Sequence, residues 1–349
     1  MKITDYLGEK EIVSIATNKT IPKPIDIEWR LTWKCNAKCK MCSIWKFKSK
    51  NEFSTNLIKK KIRELKKIGT RKILFSGGEP LVRKDLPKII AYCSKQGIIS
   101  EMNTNGLLLS SRMCRLLVTA GLKKVNVSLD APNEIHDEIR NVKGLFKKVI
   151  LGLKNLRKID KKKQIWININ TVIMKQNYNS ILKFLKLKEI VDFDSINFIP
   201  VKINTAWVKK LKKGNDSYWK EVAENMSDCV LSKKEEKRAK ELIKKFKNKA
   251  NLILVNEKEA LIKPLKRCFA IFFHTVIQPS GDVVPCCYFS KKESVLGNII
   301  NQDFKSVWLG EKYVKFRDSL KNNNPSCVKC FRYSNLNKFV EELILDAET

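Results

Sequence analysis

Between residues 25 and 200 the apolar positions switch repeatedly between alternation and helical spacing, the marks of strand and helix. Ile25, Ile27, Trp29 and Leu31 alternate with Asp26, Glu28 and Arg30, which predicts a first strand. Ser54 or Thr55 can cap a helix carrying Leu57, Ile58, Ile62, Leu65 and Ile68, with Gly69 to end it. Lys72 to Phe75 reads as a buried strand. Asp85 is placed to cap a helix bearing Leu86, Ile89, Ile90 and Cys93, and Gly97 terminates it. A third strand near Ile98 to Met102 ends in Asn103-Thr104-Asn105-Gly106. Met113, Leu116, Leu117 and Ala120 then share a helix face before Gly121. Val125, Val127 and Leu129 alternate in a fourth strand, with Asn126, Ser128 and Asp130 on its other face and end. A helix over Leu145 to Leu156, a strand over Gln164 to Met174, a helix around Ile181 to Leu187 and a strand over Ser195 to Ile199 complete six units.

Such alternation predicts an α/β fold with a parallel sheet, right-handed crossovers and chemistry at the C-terminal strand ends. Residues 1–24 read as a polar lead-in closed by Ile21-Pro22-Lys23-Pro24, which is no helix interior. Residues 201–262 break the repeat. They are Lys-rich with Glu interspersed, and Glu235, Glu236, Lys240 and Glu241 suggest a solvated helical connector or cap. From 263 to 349 the texture changes to short strands. Pro279-Ser280-Gly281-Asp282 reads as a hairpin turn, and a helix is expected over roughly Phe304 to Leu320.

Composition narrows the function classes. The chain has 349 residues, 43% of them hydrophobic, enough for a sizeable core. Its longest apolar run is short, and Met1 to Tyr6 lacks the apolar stretch of a signal peptide, so a cytoplasmic protein with no membrane partner is expected. Seventy Lys and Arg against 36 Asp and Glu give a net charge of +34. Compositional bias, an anionic substrate or carrier, and nucleic acid all fit that charge. The basic residues are mostly Lys spread along the chain, which argues against a base-reading surface. Eleven cysteines in a cytoplasmic chain point to metal or redox work. Cys93, Cys114 and Cys229 stand alone and read as small buried hydrophobes. The two histidines, His136 and His274, have no second ligand at a convincing spacing, which disfavours zinc catalysis.

The chemistry concentrates in Cys35-Asn36-Ala37-Lys38-Cys39-Lys40-Met41-Cys42, directly after the first strand. Three thiols so spaced suit three irons of a 4Fe–4S cluster and leave the fourth open to a ligand; a zinc site or three core cysteines are the alternatives for the triplet alone. Farther on, Ser76-Gly77-Gly78-Glu79-Pro80 makes a tight turn at the end of the second strand, where glycines let backbone approach a ligand closely. A second cysteine set comprises Cys268, Cys286, Cys327 and Cys330, with Cys287 competing with Cys286. The hairpin should fold Cys286 back toward Cys268, so that four thiols can close on one metal centre, zinc or iron.

Together the triplet and the Gly-Gly-Glu-Pro turn resemble the signatures of the radical S-adenosylmethionine (radical SAM) superfamily. The residue before the third cysteine is usually aromatic there and is Met41 here. The resemblance covers about residues 25–200 and implies a partial (β/α)6 TIM-like barrel. It implies that Cys35, Cys39 and Cys42 hold a 4Fe–4S cluster. Gly77, Gly78, Glu79 and Pro80 would meet the methionine amino group, and Thr104, Asn105, Ser128 and Asp130 the ribose and methionine parts. Arg140 would meet the carboxylate and Asn170, with Thr171, would flank the adenine. The second cysteine set resembles a shortened SPASM, or twitch, domain. That implies a second, auxiliary 4Fe–4S cluster on Cys268, Cys286, Cys327 and Cys330, with no open iron and a role in electron transfer.

The implied reaction is reductive cleavage of S-adenosylmethionine to a 5′-deoxyadenosyl radical that abstracts hydrogen from a substrate C–H bond. The auxiliary cluster would take the second electron, making the enzyme an oxidoreductase of the dehydrogenase kind, fed by a flavodoxin or ferredoxin-type donor. The single auxiliary cluster resembles aminocyclitol dehydrogenases, which points to a small hydroxylated or nucleotide-linked sugar or cyclitol. A peptide or protein maturase is the alternative. The 24 residues before the first strand are too few for the recognition domain of many peptide enzymes, which favours the small molecule. A nucleic-acid-binding iron–sulfur protein without activity is the reading from another class.

Overall fold

The computed structural model describes residues 3–48, 52–201, 217–250, 254–257, 268–287, 294–320 and 334–348. Strands β1 (Asp26–Thr32), β2 (Lys72–Gly77), β3 (Ile99–Thr104), β4 (Lys124–Ser128), β5 (Trp166–Ile173) and β6 (Ser195–Pro200) lie side by side in chain order. Each adjacent pair is parallel. Helices α2 (Thr55–Lys67), α3 (Leu86–Lys95), α4 (Ser111–Ala120), α5 (Ile135–Arg140), α6 (Leu145–Ile159) and α7 (Phe184–Ile190) alternate with them, after α1 (Glu9–Ala16) at the N-terminal side. The expected α/β class and six units are present.

Register decides which side chains share a face. Trp29, Phe75, Met102, Val125 and Ile167 form one row across β1–β5 and are fully buried in the main core. The alternate positions are polar. Asn103, Asn126, Asn168 and Ser195 form one row across β3–β6, and Ser128, Asn170 and Asn197 form the next. Their side chains bond to one another: Asn168 Nδ2 donates to Asn126 Oδ1 at 3.1 Å and Asn197 Nδ2 to Asn170 Oδ1 at 2.7 Å. The sheet therefore buries one face under helices and keeps a hydrogen-bonded polar face opposite.

The sheet continues past the six strands. β7 (Leu254–Glu257) pairs parallel with β6, and β8 (His274–Ile277) pairs parallel with β1. β8 turns through Pro279-Ser280-Gly281 into antiparallel β9 (Asp282–Val284), which pairs with β10 (Gly297–Asn298). The hairpin of the C-terminal unit is thus hydrogen-bonded into the same sheet as the first strand. Among the described residues no helix is long and apolar enough to cross a membrane.

Several local expectations are corrected. The lead-in contains α1, whose Ile12, Ile15 and Ala16 are buried and pack in one cluster with Val340 of the helix Ser334–Glu348. Asp85 sits at the start of α3 but does not cap it; its carboxylate is held by Arg83 and by the Thr55 hydroxyl, while Ser54 caps α2. On α4 the buried positions are Cys114, Leu117 and Ala120, and Leu116 is exposed. The helix expected over Phe304 to Leu320 is two, Phe304–Trp308 and Glu311–Ser319, because Gly310 is extended and leads into the second as its N-cap. The Lys-rich helix Lys233–Lys249 has the expected ion pairs and a Ser232–Glu235 capping box, yet buries Ala239, Leu242 and Phe246 in the main core. Phe246 meets Phe198 of β6 edge-on at 5.1 Å.

Truncation of that anchor measures whether the helix is a core layer. Phe246→Ala should cost about 3–5 kcal/mol in reversible chemical denaturation. A loss below about 1 kcal/mol would mean that the helix is only a detachable cover.

Candidate functional site

The site forms where β1, β2, β3 and β4 end. The cysteine loop leaves β1 and is fixed by backbone bonds to the turn after β2. Gly78 N–H donates to Thr32 O at 2.7 Å and Glu79 N–H to Lys34 O at 2.9 Å. A Cβ on Gly77 would lie 2.3 Å from Thr32 O, and one on Gly78 would lie 2.2 Å from Lys34 O. Gly77 also has φ +121°, a region that favours glycine. The closest approach these glycines permit is therefore to the cysteine loop's own backbone.

Glu79 fastens a third strand end to the first two. Its Oε1 accepts from the Thr104 hydroxyl at 2.8 Å and from Leu81 N–H at 3.1 Å, and its Oε2 accepts from Asn105 N–H at 2.7 Å. Burial pushes its carboxyl up to about 7, against the pull of those donors. Asn105 in turn donates from Nδ2 to Asn36 Oδ1 at 2.7 Å, inside the cysteine loop.

The end of β4 supplies a buried ion pair. Asp130 is fully buried and its Oδ2 accepts from Arg140 Nε at 2.6 Å, while its Oδ1 accepts from Val172 N–H at 3.0 Å. Burial disfavours the Arg140 charge, but Asp130 and the Cys39 sulfur outweigh it and raise its pKa. His136 Nδ1 accepts from Asp130 N–H at 3.1 Å, which requires a neutral ring with its proton on Nε2. Burial lowers its pKa to about 4, while the Asp130 charge acts the other way.

The three thiols converge with these groups. Ile44 N–H lies 3.4 Å from Cys42 Sγ, Arg140 Nη1 lies 3.7 Å from Cys39 Sγ, and Asn105 Nδ2 lies 4.0 Å from Cys35 Sγ. Burial raises the pKa of Cys35 and Cys39, and each also feels the other sulfurs or their partners as charges. Among the described residues no three His, Cys, Asp or Glu side chains are grouped so as to hold a single metal ion. In an iron–sulfur cluster each iron takes one thiolate, so three thiols serve three irons.

Of the other candidates, Ser128 and Asn170 stand opposite each other on β4 and β5. Met41 packs beside Ile139, Met174 and buried Cys229. In the C-terminal unit Val276 pairs with Val284, so the hairpin returns Cys286 toward the start of β8, six residues beyond Cys268. Asn337 Nδ2 lies 3.9 Å from Cys268 Sγ. Cys286 and Cys287 are both half-buried. Cys327 and Cys330 lie outside the described residues. Cys93, Cys114 and Cys229 are fully buried, as small hydrophobes are. Sequence reasoning missed Asn177, whose Nδ2 donates to both Asp130 O and Val172 O at 2.7 Å. Locally, its Oδ1 also accepts from Met174 N–H at 2.8 Å.

The model of the radical SAM superfamily matches residues 29–187, and that of the SPASM iron–sulfur cluster-binding domain matches residues 268–331. An Fe-coproporphyrin III synthase of Methanosarcina barkeri is 37% identical over 169 residues, 48% of this chain. The match spans only 41% of that relative's length. A GTP 3′,8-cyclase of Clostridium botulinum is 31% identical over 282 residues, covering 78% of this chain and 84% of the relative. By fold, the chain resembles Streptococcus suis SuiB bound to S-adenosylmethionine, with a TM-score of 0.69 at 17% identity over 94% of this chain and 78% of SuiB.

The buried neutral His136 gives a pH prediction. Its folded pKa lies below the ordinary 6.5, so its contribution to stability is present above pH 6.5 and is lost as pH falls toward 4. The loss should amount to about 3 kcal/mol. Denaturation midpoints of wild type and His136→Gln between pH 7 and pH 4 check this. The wild type should lose stability more steeply, and equal slopes would contradict it.

Proposed function

We propose that this chain, which belongs to the radical SAM superfamily and whose cofactors are 4Fe–4S clusters and S-adenosylmethionine, is an oxidoreductase acting on an anionic small molecule. The carrying observation is the loop of Cys35, Cys39 and Cys42, fastened at the strand ends with one nitrogen donor facing each sulfur. Three thiolates for four irons leave one iron for the amino and carboxylate groups of the cosubstrate. Bound there, the cluster would supply the electron that cleaves S-adenosylmethionine to methionine and a 5′-deoxyadenosyl radical, which would take hydrogen from the substrate.

The chain's own residues hold and screen the reactants. The turn Gly77-Gly78-Glu79-Pro80 sets the height of the cysteine loop and presents its backbone to the methionine end. Thr104, Asn105, Ser128 and Asp130 would stand on the ribose side, where Thr104 and Asp130 act through the Glu79 and Arg140 they hold, and Asn170 on the polar sheet face would flank the adenine. Arg140 would share its guanidinium between Asp130 and the cosubstrate carboxylate. Cys268, Cys286, Cys327 and Cys330 would hold the auxiliary cluster, whose chemistry there would be to take up the second electron of a two-electron oxidation. A flavodoxin or ferredoxin-type protein is the electron donor.

The net charge of +34 supports an anionic substrate. The names of two relatives, a GTP cyclase and an Fe-coproporphyrin III synthase, also point to anions. A nucleotide-linked sugar remains within the anionic class; an uncharged cyclitol lies outside it. A peptide substrate is the second reading. It is favoured by the likeness to SuiB, a protein also seen bound to its precursor peptide SuiA.

The test is 5′-deoxyadenosine formation by the anaerobically reconstituted chain with nucleotides, carboxylated porphyrins and peptides. Anionic small molecules should stimulate cleavage at least about tenfold, and raising salt from 50 to 500 mM should weaken the effect, since attraction between exposed charges is screened. Stimulation by peptides alone would replace this reading with the second. A well-reduced enzyme that cleaves no S-adenosylmethionine under any condition would overturn both.

A further inference from the structure

The donors facing the three sulfurs differ in kind. Cys42 is served by the backbone N–H of Ile44, two residues away, a bond that any residue but proline would supply there. Cys35 faces a neutral carboxamide, Asn105. Cys39 alone faces a cation, Arg140 Nη1 at 3.7 Å, and it is the most buried of the three. Arg140 comes from α5, far along the chain, and is itself 8% exposed. Its Nε is bound to Asp130, so Nη1 is the arm turned to the sulfur.

The Arg140 charge is felt by Asp130, by Glu79 and by all three sulfurs, and it is Cys39 that its Nη1 meets. Asp130 holds Nε, a different nitrogen of the guanidinium from the Nη1 that meets Cys39, and is anchored by Val172 N–H. His136 packs against Asp130 as a neutral ring. Asp130 and Arg140 therefore form a buried dipole with its positive end toward Cys39. Reduction of a cluster adds one negative charge. A positive end beside a ligating sulfur stabilises that charge, and burial protects the interaction from salt.

We infer that Arg140 is a positioning residue that sets the reduction potential of the cluster held by Cys35, Cys39 and Cys42, with Asp130 tempering its effect. The inference rests on the three-cysteine reading above and goes beyond it. Its mark is opposite signs. Removing the cation in Arg140→Met lowers the potential. Removing the counter-charge in Asp130→Asn leaves the cation uncompensated and raises it. Loss of packing alone has no reason to move the two variants apart.

The experiment is a redox titration of the full reconstituted chain, without S-adenosylmethionine, using dithionite as reductant and the paramagnetic resonance signal of the reduced cluster as readout. The signal of the auxiliary cluster is subtracted with a Cys35/Cys39/Cys42→Ala chain. At the wild-type midpoint, Arg140→Met should show an approximately tenfold lower reduced-to-oxidised ratio, equivalent to about 59 mV for one electron. Asp130→Asn should show a higher ratio than wild type. Arg140→Lys keeps the charge without the forked donors and should fall between wild type and Arg140→Met. Unchanged midpoints, or shifts of Arg140→Met and Asp130→Asn in the same direction, would overturn the inference. If Arg140→Met fails to load, Asp130→Asn and Arg140→Lys decide it by the same signs. A wild type that assembles no cluster dependent on these three cysteines would instead overturn the reading beneath it, and the inference with it.

Discussion

The arrangement depends on one close approach, that of the Gly77-Gly78 backbone to the carbonyls of Thr32 and Lys34. With 2.2–2.3 Å between those oxygens and any added Cβ, no side chain fits at either position. The contact lets two backbone N–H groups hold the cysteine loop while it is still leaving β1. Glu79 then carries the constraint onward, since its carboxylate takes donors from the turn itself and from Thr104 and Asn105 at the end of β3. Three strand ends are thereby fixed against one another before any cofactor contributes.

The second structural decision is to place charge inside this frame. A buried ion pair is weak evidence for stability, because desolvation offsets most of its attraction. Asp130 and Arg140 are nevertheless kept, and their surroundings are built to match. Val172 N–H meets one carboxylate oxygen, Asn177 ties the Asp130 carbonyl, and the neutral His136 ring accepts the Asp130 N–H. Such a set makes sense where the fold must present a directed field to a site that changes charge. The polar rows on β3–β6 complete the environment, because carboxamides bonded to one another leave a hydrogen-bonding surface where an apolar lining would be expected in a pure packing core.

How much of this is legible in the sequence follows from distance along the chain. The cysteine triplet, the Gly-Gly-Glu-Pro turn and the strand–helix alternation are local, and the structure brings them together at adjacent strand ends. Cys39 and Arg140 are 101 positions apart, and spacing alone cannot pair them. Glycine was readable as a site of close approach, but its partner was the protein's own loop, a fact visible only in three dimensions. The stripe Ala239, Leu242 and Phe246 is helical in spacing, yet the lysines around it made the segment look solvated throughout. Likewise Ile12, Ile15 and Ala16 form only two turns, too short to stand out in a polar lead-in, and gain their meaning from the helix near the other terminus that covers them.

The central claim is that Cys35, Cys39 and Cys42 build a cluster with one iron left for the cosubstrate. The most direct measurement is iron and sulfide content of the wild type and of a Cys35/Cys39/Cys42→Ala chain, each with resonance spectra of the reduced protein before and after adding S-adenosylmethionine. The account predicts about eight irons falling to about four, and a spectrum that S-adenosylmethionine changes only in the wild type. Iron content that does not fall in the variant, or a loaded wild-type cluster indifferent to S-adenosylmethionine, would contradict it.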